Sequence, residues 1–298
     1  MSNDTGSLAP HVPVMVTEVM EGLRTHPGGT YVDCTLGAGG HSRAILERIQ
    51  PSGHLLGIDA DPAAVELAQQ TLSEFGDSLT LAQGNFSNLD GICREKGFDS
   101  IDGIMFDLGI SSVQLDSADR GFSFQREAPL DMRFDTTDGV SAADIVNSYS
   151  EQEIARILWE YGEERYSRQI AHRIVQNRPI LSTLRLAHLV QQVLGNRRGR
   201  IHPATRTFMA LRIAVNKELE SLALGLDQTV SLLRSQGRLV VLSYHSLEDR
   251  IVKQFMRGKA TENAFSLITK KVIRPTTLES HSNPRSRSAR LRVAERIA

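Results

Sequence analysis

Short apolar runs and longer helical patterns alternate along the first part of the chain. TYVDCTL, HLLGIDA, LTLAQGN and IDGIMFDLGI are runs of apolar residues bounded by glycine or polar positions. Between them lie SRAILERI and PAAVELAQQTLSEF, whose apolar residues recur at helical spacing. Strands read as near-continuous apolar runs when both faces of their sheet are covered, and strands separated by helices imply parallel pairing. The pattern therefore predicts an α/β fold, a parallel sheet with helices on its faces.

From about Leu115 the pattern changes. DSADRGFSFQREAPLDMRFD is polar, carries Gly and Pro, and reads as a long ordered loop. After it, SAADIVNSYSEQEIARILWEYGEERYSRQIAHRIVQNRP has helical periodicity: Ile170, Ala171, Ile174 and Val175 form one stripe, with Arg165, Arg168, His172 and Gln176 off it. A helix TLRLAHLVQQVL, a basic loop GNRRGRIHP and one long helix through TFMALRIAVNKELESLALGL follow. The sheet pattern resumes in GRLVVLSYHS, and SARLRVAERI alternates like a half-exposed strand, Leu291 and Val293 on one side, Arg290 and Arg292 on the other. The expected organisation is a sheet domain in two parts, residues 1–114 and 218–298, with an all-helical domain, 115–217, inserted between them.

Charge divides the chain at a different place, within the insertion. The chain's net charge of -1 hides 9 Lys/Arg against 27 Asp/Glu in residues 1–164 and 25 against 8 in residues 165–298. Between Arg165 and Lys217 there are 11 basic residues and no acidic one. Such asymmetry suits a polyanion partner, although a basic face packed on the acidic half would produce it too. Arg197, Arg198, Arg200, Arg206 and Arg212 are the candidate phosphate contacts. No segment reaches the ~18 consecutive apolar residues of a membrane span, and the start is not of signal-peptide type, so a cytoplasmic enzyme without a membrane partner is expected. Cys34 and Cys93 form no CxxC, and His11, His41 and His202 lack ligand spacing, so neither a disulfide framework nor a metal is expected.

Ligands of an open parallel sheet bind at the carboxyl ends of its strands. There the sequence puts a glycine turn (Gly37, Gly39, Gly40), Asp59 of GIDAD, Asn85 and Phe86 of GNFSN, and Asp107 of FDLG. A phosphate-binding Walker loop needs Lys-Ser or Lys-Thr after its glycines, and here His41 and Ser42 follow; a dinucleotide fingerprint needs a third glycine where Ser42 stands. An adenosine cofactor without a pyrophosphate fits better. For S-adenosylmethionine, Asp59 would accept from the ribose hydroxyls and Phe86 would pack on the adenine.

DCTLGAGGHS, GIDADP, GNFSNL, DLGISSVQLD, RGFSF, PLDMR, HPATRTFMALRIAVNKELE and SYHSLEDRIVK together resemble, in order and over nearly the whole chain, the signature segments of the ribosomal small-subunit RNA cytosine-N4 methyltransferase family (RsmH, formerly MraW). The resemblance implies a class I (Rossmann-like) methyltransferase sheet with an inserted helical domain for substrate recognition. It also implies S-adenosylmethionine as cofactor, and as partner the small-subunit ribosomal RNA, methylated on a decoding-region cytidine, whether free or in the assembled small subunit. Cofactor contacts carried over by motif are Gly39, Gly40, His41, Asp59, Phe86, Asp107 and Gln114. General amino-methyltransferases place an Asp/Asn/Ser-Pro-Pro-Tyr/Phe motif after the fourth strand; here Asp107-Leu108-Gly109-Ile110 stands instead.

Asp107 is the catalytic candidate, orienting either the target amine or the cofactor's own amino group. In SYHSLEDR, Ser246 with Asp249 reads as a helix cap, and His245 is open between packing and contact with the target base. Phe122 and Phe124 suit either base stacking or burial. The rival readings are an amino-methyltransferase acting on DNA and an assembly factor that binds RNA without modifying it. The sequence leaves the oligomeric state open.

Overall fold

A computed structural model describes residues 12–111, 114–115, 117, 119–137, 139–195 and 202–297. The chain divides into two compact units: Met1–Ser112 with Ser221–Ala298, and Val113–Glu220.

The first unit is built on seven strands: β1 (Thr30–Asp33), β2 (His54–Asp59), β3 (Leu79–Gln83), β4 (Ile101–Asp107), β5 (Leu233–Ser243), β6 (Phe265–Leu267) and β7 (Arg290–Arg296), in the spatial order β3-β2-β1-β4-β5-β7-β6. The first five in that order are parallel; β7 returns antiparallel to β5, pairing Val240 with Val293, and β6 antiparallel to β7. This is a Rossmann-like sheet whose strand order reverses between β1 and β4, the place where a ligand crevice opens in such folds. Alternate residues fill two cores. Val32, Leu56, Ile104, Phe106, Leu239 and Val241 face one side; Tyr31, Leu55, Met105, Val240, Leu242 and Val293 face the other. Covering both faces accounts for the unbroken apolar runs.

The Arg side of β7 is less open than its alternation suggests. Asp249, on the helix Ser246–Thr261, accepts from Arg292 Nε at 2.7 Å and Nη2 at 3.2 Å, so that helix covers the face.

The second unit holds the helices Ala142–Ser148, Glu151–Gly162, Ser167–Gln176, Thr183–Leu194 and Thr205–Asn216. Ser141 with Asp144 and Ser150 with Glu153 form capping boxes on the first two, satisfying N–H groups that have no partner inside the helix. The third buries Ile170, Ala171 and Ile174 and exposes Arg165, Arg168, His172 and Gln176 around and along it. The long helix expected through TFMALRIAVNKELESLALGL is two: Thr205–Asn216 and Glu218–Leu232. Lys217 turns left-handed at φ 49°, while Asn216 donates to the Met132 carbonyl at 2.7 Å and accepts from Phe134 N–H at 2.7 Å. That clamp secures the RGFSF-to-PLDMR loop at the break. Among the described residues no helix is long and apolar enough to cross a membrane.

Candidate active site at the strand ends

β1 and β4 end on carboxylates, Asp33 and Asp107, at the reversal of strand order. Asp33 is buried and fully engaged: Ser42 Oγ donates to Oδ2 at 2.7 Å, and Thr35 donates to Oδ1 through its N–H at 3.1 Å and its hydroxyl at 3.4 Å. Burial raises its carboxyl above the usual range, against the hydrogen bond from Ser42. Thr35 Oγ1 in turn accepts from the Asp107 N–H at 2.6 Å, tying the two strand ends together.

The Asp107 carboxylate is held from both sides. Tyr244, just beyond β5, donates its hydroxyl to Oδ1 at 2.7 Å, and His41 Nδ1 lies 3.3 Å from Oδ2. His41 Nε2 lies 2.9 Å from the Val14 carbonyl, which can only accept, so this nitrogen carries a proton. Burial opposes charge on His41, but the hydrogen bond and charge of Asp107 and the charge of Asp33 outweigh it and raise its pKa. Tyr244 is pushed well above the ordinary phenol range by burial and by Asp107, so it donates rather than accepts.

The glycine turn adjoins this cluster. Gly37 (φ 50°) and Gly39 (φ 80°) take left-handed conformations that side chains disfavour, and Gly39 precedes the first turn of the helix Gly40–Ile49. Gly37 N–H donates to Asp59 Oδ2 at 2.8 Å and Asp61 N–H to Oδ1 at 2.9 Å. Burial pushes the Asp59 carboxyl up to about 6, against those two N–H groups. At neutral pH it is an acceptor with lone pairs left over for a diol. Phe86 follows β3 on a short 3-10 turn capped by Asn85, its ring edge-on to Phe106 at 5.4 Å. A Cβ on Gly225 would come within 3.0 Å of the Phe86 ring, which therefore rests on a glycine of the helix Glu218–Leu232.

The structure thus assembles Gly37, Gly39, Gly40, His41, Asp59 and Asp107 in one neighbourhood, with Phe86 at the end of the outer strand of the same unit. Gln114 is buried within the other unit. Asp33, Thr35 and Tyr244 were not singled out from sequence. The first two lie inside DCTLG, where an acid ending an apolar run was the available signal.

Several candidates outside the cluster have other partners. His245, not Ser246, caps the helix Ser246–Thr261: its Nδ1 accepts from Glu248 N–H at 3.4 Å, and Glu248 Oε2 accepts from His245 N–H at 3.2 Å. Asp249 is taken by Arg292. Arg212 is buried and forks onto Glu218 at 2.7 and 2.9 Å, so it is no phosphate contact. Arg206 is exposed and donates to the Glu163 carbonyl at 3.3 Å. Arg197, Arg198 and Arg200 lie outside the described residues. Phe122 stacks on Phe134 at 5.7 Å, and Phe124 on His202 at 4.5 Å and edge-on to Phe208 at 5.0 Å. Phe122 is buried, and Phe124 is half-buried beside an exposed His202. Among the described residues no His/Cys/Asp/Glu group has the arrangement of a metal site.

Comparison with known proteins identifies the family. The model of the MraW methylase family matches residues 8–297. A protein of Dehalococcoides mccartyi, strain BAV1, is 52% identical over 97% of this chain and 87% of its own length; one of Thermomicrobium roseum is 52% identical over 97% and 94%; one of Geobacter sulfurreducens is 48% identical over 96% and 99%. Each carries the name ribosomal RNA small subunit methyltransferase H. With the match running from one end of the chain to the other, the chain belongs to the MraW methylase family.

Proposed function

We propose that this protein transfers a methyl group from S-adenosylmethionine to the N4 amine of a cytidine in the decoding region of small-subunit ribosomal RNA. The substrate class rests on the names of relatives about half identical over nearly their whole length. The observation that carries the chemistry is Asp107, an acceptor gripped by Tyr244 and His41 at the strand reversal.

The residues present suit the cofactor. Gly37 and Gly39 let the backbone turn tightly beneath a ligand, and neither a Lys after the glycines nor a glycine at position 42 equips the turn for a pyrophosphate. Asp59 offers both carboxylate oxygens to the ribose hydroxyls, and Phe86, rigid on Phe106, offers an apolar wall to the adenine. Gly39, Gly40 and His41 contribute backbone, since both ring nitrogens of His41 already face Val14 and Asp107. Gln114 enters this reading by the family motif alone. When bound, the cofactor supplies an electrophilic methyl on a sulfonium sulfur.

The N4 amine of cytosine is a weak nucleophile because its lone pair is delocalised into the ring. Asp107 accepts a hydrogen bond from that amine, aligning its lone pair and drawing off a proton as nucleophilicity develops. The helical unit, with Arg165, Arg168 and Arg206 exposed, supplies substrate recognition through phosphate contacts, leaving the base free to leave its stack and enter the pocket. The test is to incubate the protein with label-bearing S-adenosylmethionine and either naked small-subunit RNA or small subunits, then digest and identify the nucleoside. N4-methylcytidine from one site is expected; label on another base or on duplex DNA overturns the reading.

A further inference from the structure

Tyr244 has one contact that phenylalanine could not make. Its hydroxyl donates to Asp107 Oδ1 at 2.7 Å. Its ring lies against the turn after Asp107: a Cβ on Gly109, itself at φ 107°, would stand 3.5 Å from Tyr244 Cδ2. The backbone beneath is fixed too, since Tyr244 N–H donates to Glu248 Oε2 at 2.8 Å within the cap of the helix Ser246–Thr261. One residue therefore holds both the carboxylate and the backbone next to it. On the other side His41, anchored by Nε2 on the Val14 carbonyl, faces Oδ2.

Among the described residues each oxygen of Asp107 thus has one such partner, His41 donating from Nδ1 when both its nitrogens are protonated. A carboxylate gripped at both oxygens cannot rotate, so its remaining lone pairs point in fixed directions. Resting on the proposed amine methylation, we infer that Tyr244 is a positioning residue for the reaction: it orients the Asp107 carboxylate toward the target amine, with His41 as the opposing brace. Among the described residues the ionisable groups around Asp107 are His41 from the helix Gly40–Ile49, Asp33 from β1 and Tyr244 after β5, with Glu248 and Glu279 beyond the tyrosine.

Tyr244→Phe removes the hydroxyl and keeps the ring. Single-turnover methyl transfer to small subunits from cells lacking the gene should slow by about 10- to 100-fold. Affinity for S-adenosylmethionine, read by calorimetry, should stay within about threefold, because positioning the acceptor is not cofactor binding. The loss should fall on the rate and not on the KM for small subunits, which should stay within about threefold. A fluorinated tyrosine at 244 keeps fold and hydroxyl, so it should hold the rate within about threefold of wild type.

An unchanged rate in Tyr244→Phe, with wild-type enzyme methylating N4, overturns the inference and leaves the functional reading standing. Parallel loss of rate and cofactor affinity also overturns it, making Tyr244 a wall of the cofactor pocket. Wild-type enzyme that leaves N4 unmethylated overturns the functional reading and the role of Tyr244 with it.

Discussion

The strand-end cluster and the basic segment Arg165–Lys217 of the helical unit both concentrate polar groups, in opposite ways. At the strand ends, Asp33, Thr35, His41, Asp59, Asp107 and Tyr244 sit largely out of water, each bonded to a named partner at a fixed distance. In the helical unit, Arg165, Arg168, Arg185, Arg206 and Lys217 lie exposed on the surface. Buried polar groups are costly unless satisfied, and once satisfied they are rigid. Exposed cations are mobile and act as a field rather than a geometry. The first region suits a reaction that depends on direction, the second a partner recognised by charge. Arg212 belongs to the basic run by sequence and to the first kind by structure, buried and forked onto Glu218.

Substitutions should separate the two kinds. The largest effect is expected at Asp107: Asp107→Asn should lower the single-turnover rate by about a thousandfold, with S-adenosylmethionine affinity far less affected. Arg212→Ala should unfold the protein more readily by about 3 kcal/mol, since it takes the forked guanidinium away from a largely buried Glu218, and should leave the salt dependence of RNA binding alone. An Arg212→Ala protein with wild-type Tm would put that arginine back among the surface charges.

Asp59→Ala should weaken S-adenosylmethionine binding by about 2 kcal/mol, close to thirtyfold, through loss of charge-assisted hydrogen bonds. This site also carries a pH signature. Its carboxyl is raised to about 6, the ionised form is the better acceptor for ribose hydroxyls, and so affinity should fall as pH drops through about 6. Asp59→Asn should flatten that dependence; a wild-type affinity constant from pH 5 to 8 would remove Asp59 from the ribose. The smallest change in stability is expected for Arg165→Ala with Arg168→Ala, within about 0.5 kcal/mol. Their effect should appear instead in RNA binding: the slope of log affinity against log salt should shrink by about 0.7 for each phosphate of single-stranded RNA that the protein no longer neutralises.

Much of the sheet unit could be read from local pattern. Runs such as IDGIMFD are apolar because β4 is covered on both faces, and Asp59 and Asp107 announced themselves as acids at the ends of such runs. What the pattern missed depends on residues distant in the chain. Tyr244 meets Asp107 across 137 positions, and Thr35 meets it across 72. The break at Lys217 has no Gly or Pro to mark it; the cause is Asn216 bonding to Met132, 84 positions away. The cap at His245 was missed for a different reason: an imidazole takes the place usually held by Ser, Thr, Asp or Asn. Arg212 could be counted as a charge from sequence, but only Glu218 folding back onto it decides that the charge is internal.

The most direct test uses mass spectrometry of small-subunit ribosomal RNA from cells in which the gene has been deleted and then restored as wild type or as Asp107→Asn. A methyl on N4 of one cytidine should vanish on deletion, return with the wild-type gene and stay absent with Asp107→Asn. Return of that methyl at the wild-type level with Asp107→Asn, or its persistence after deletion, would contradict the account.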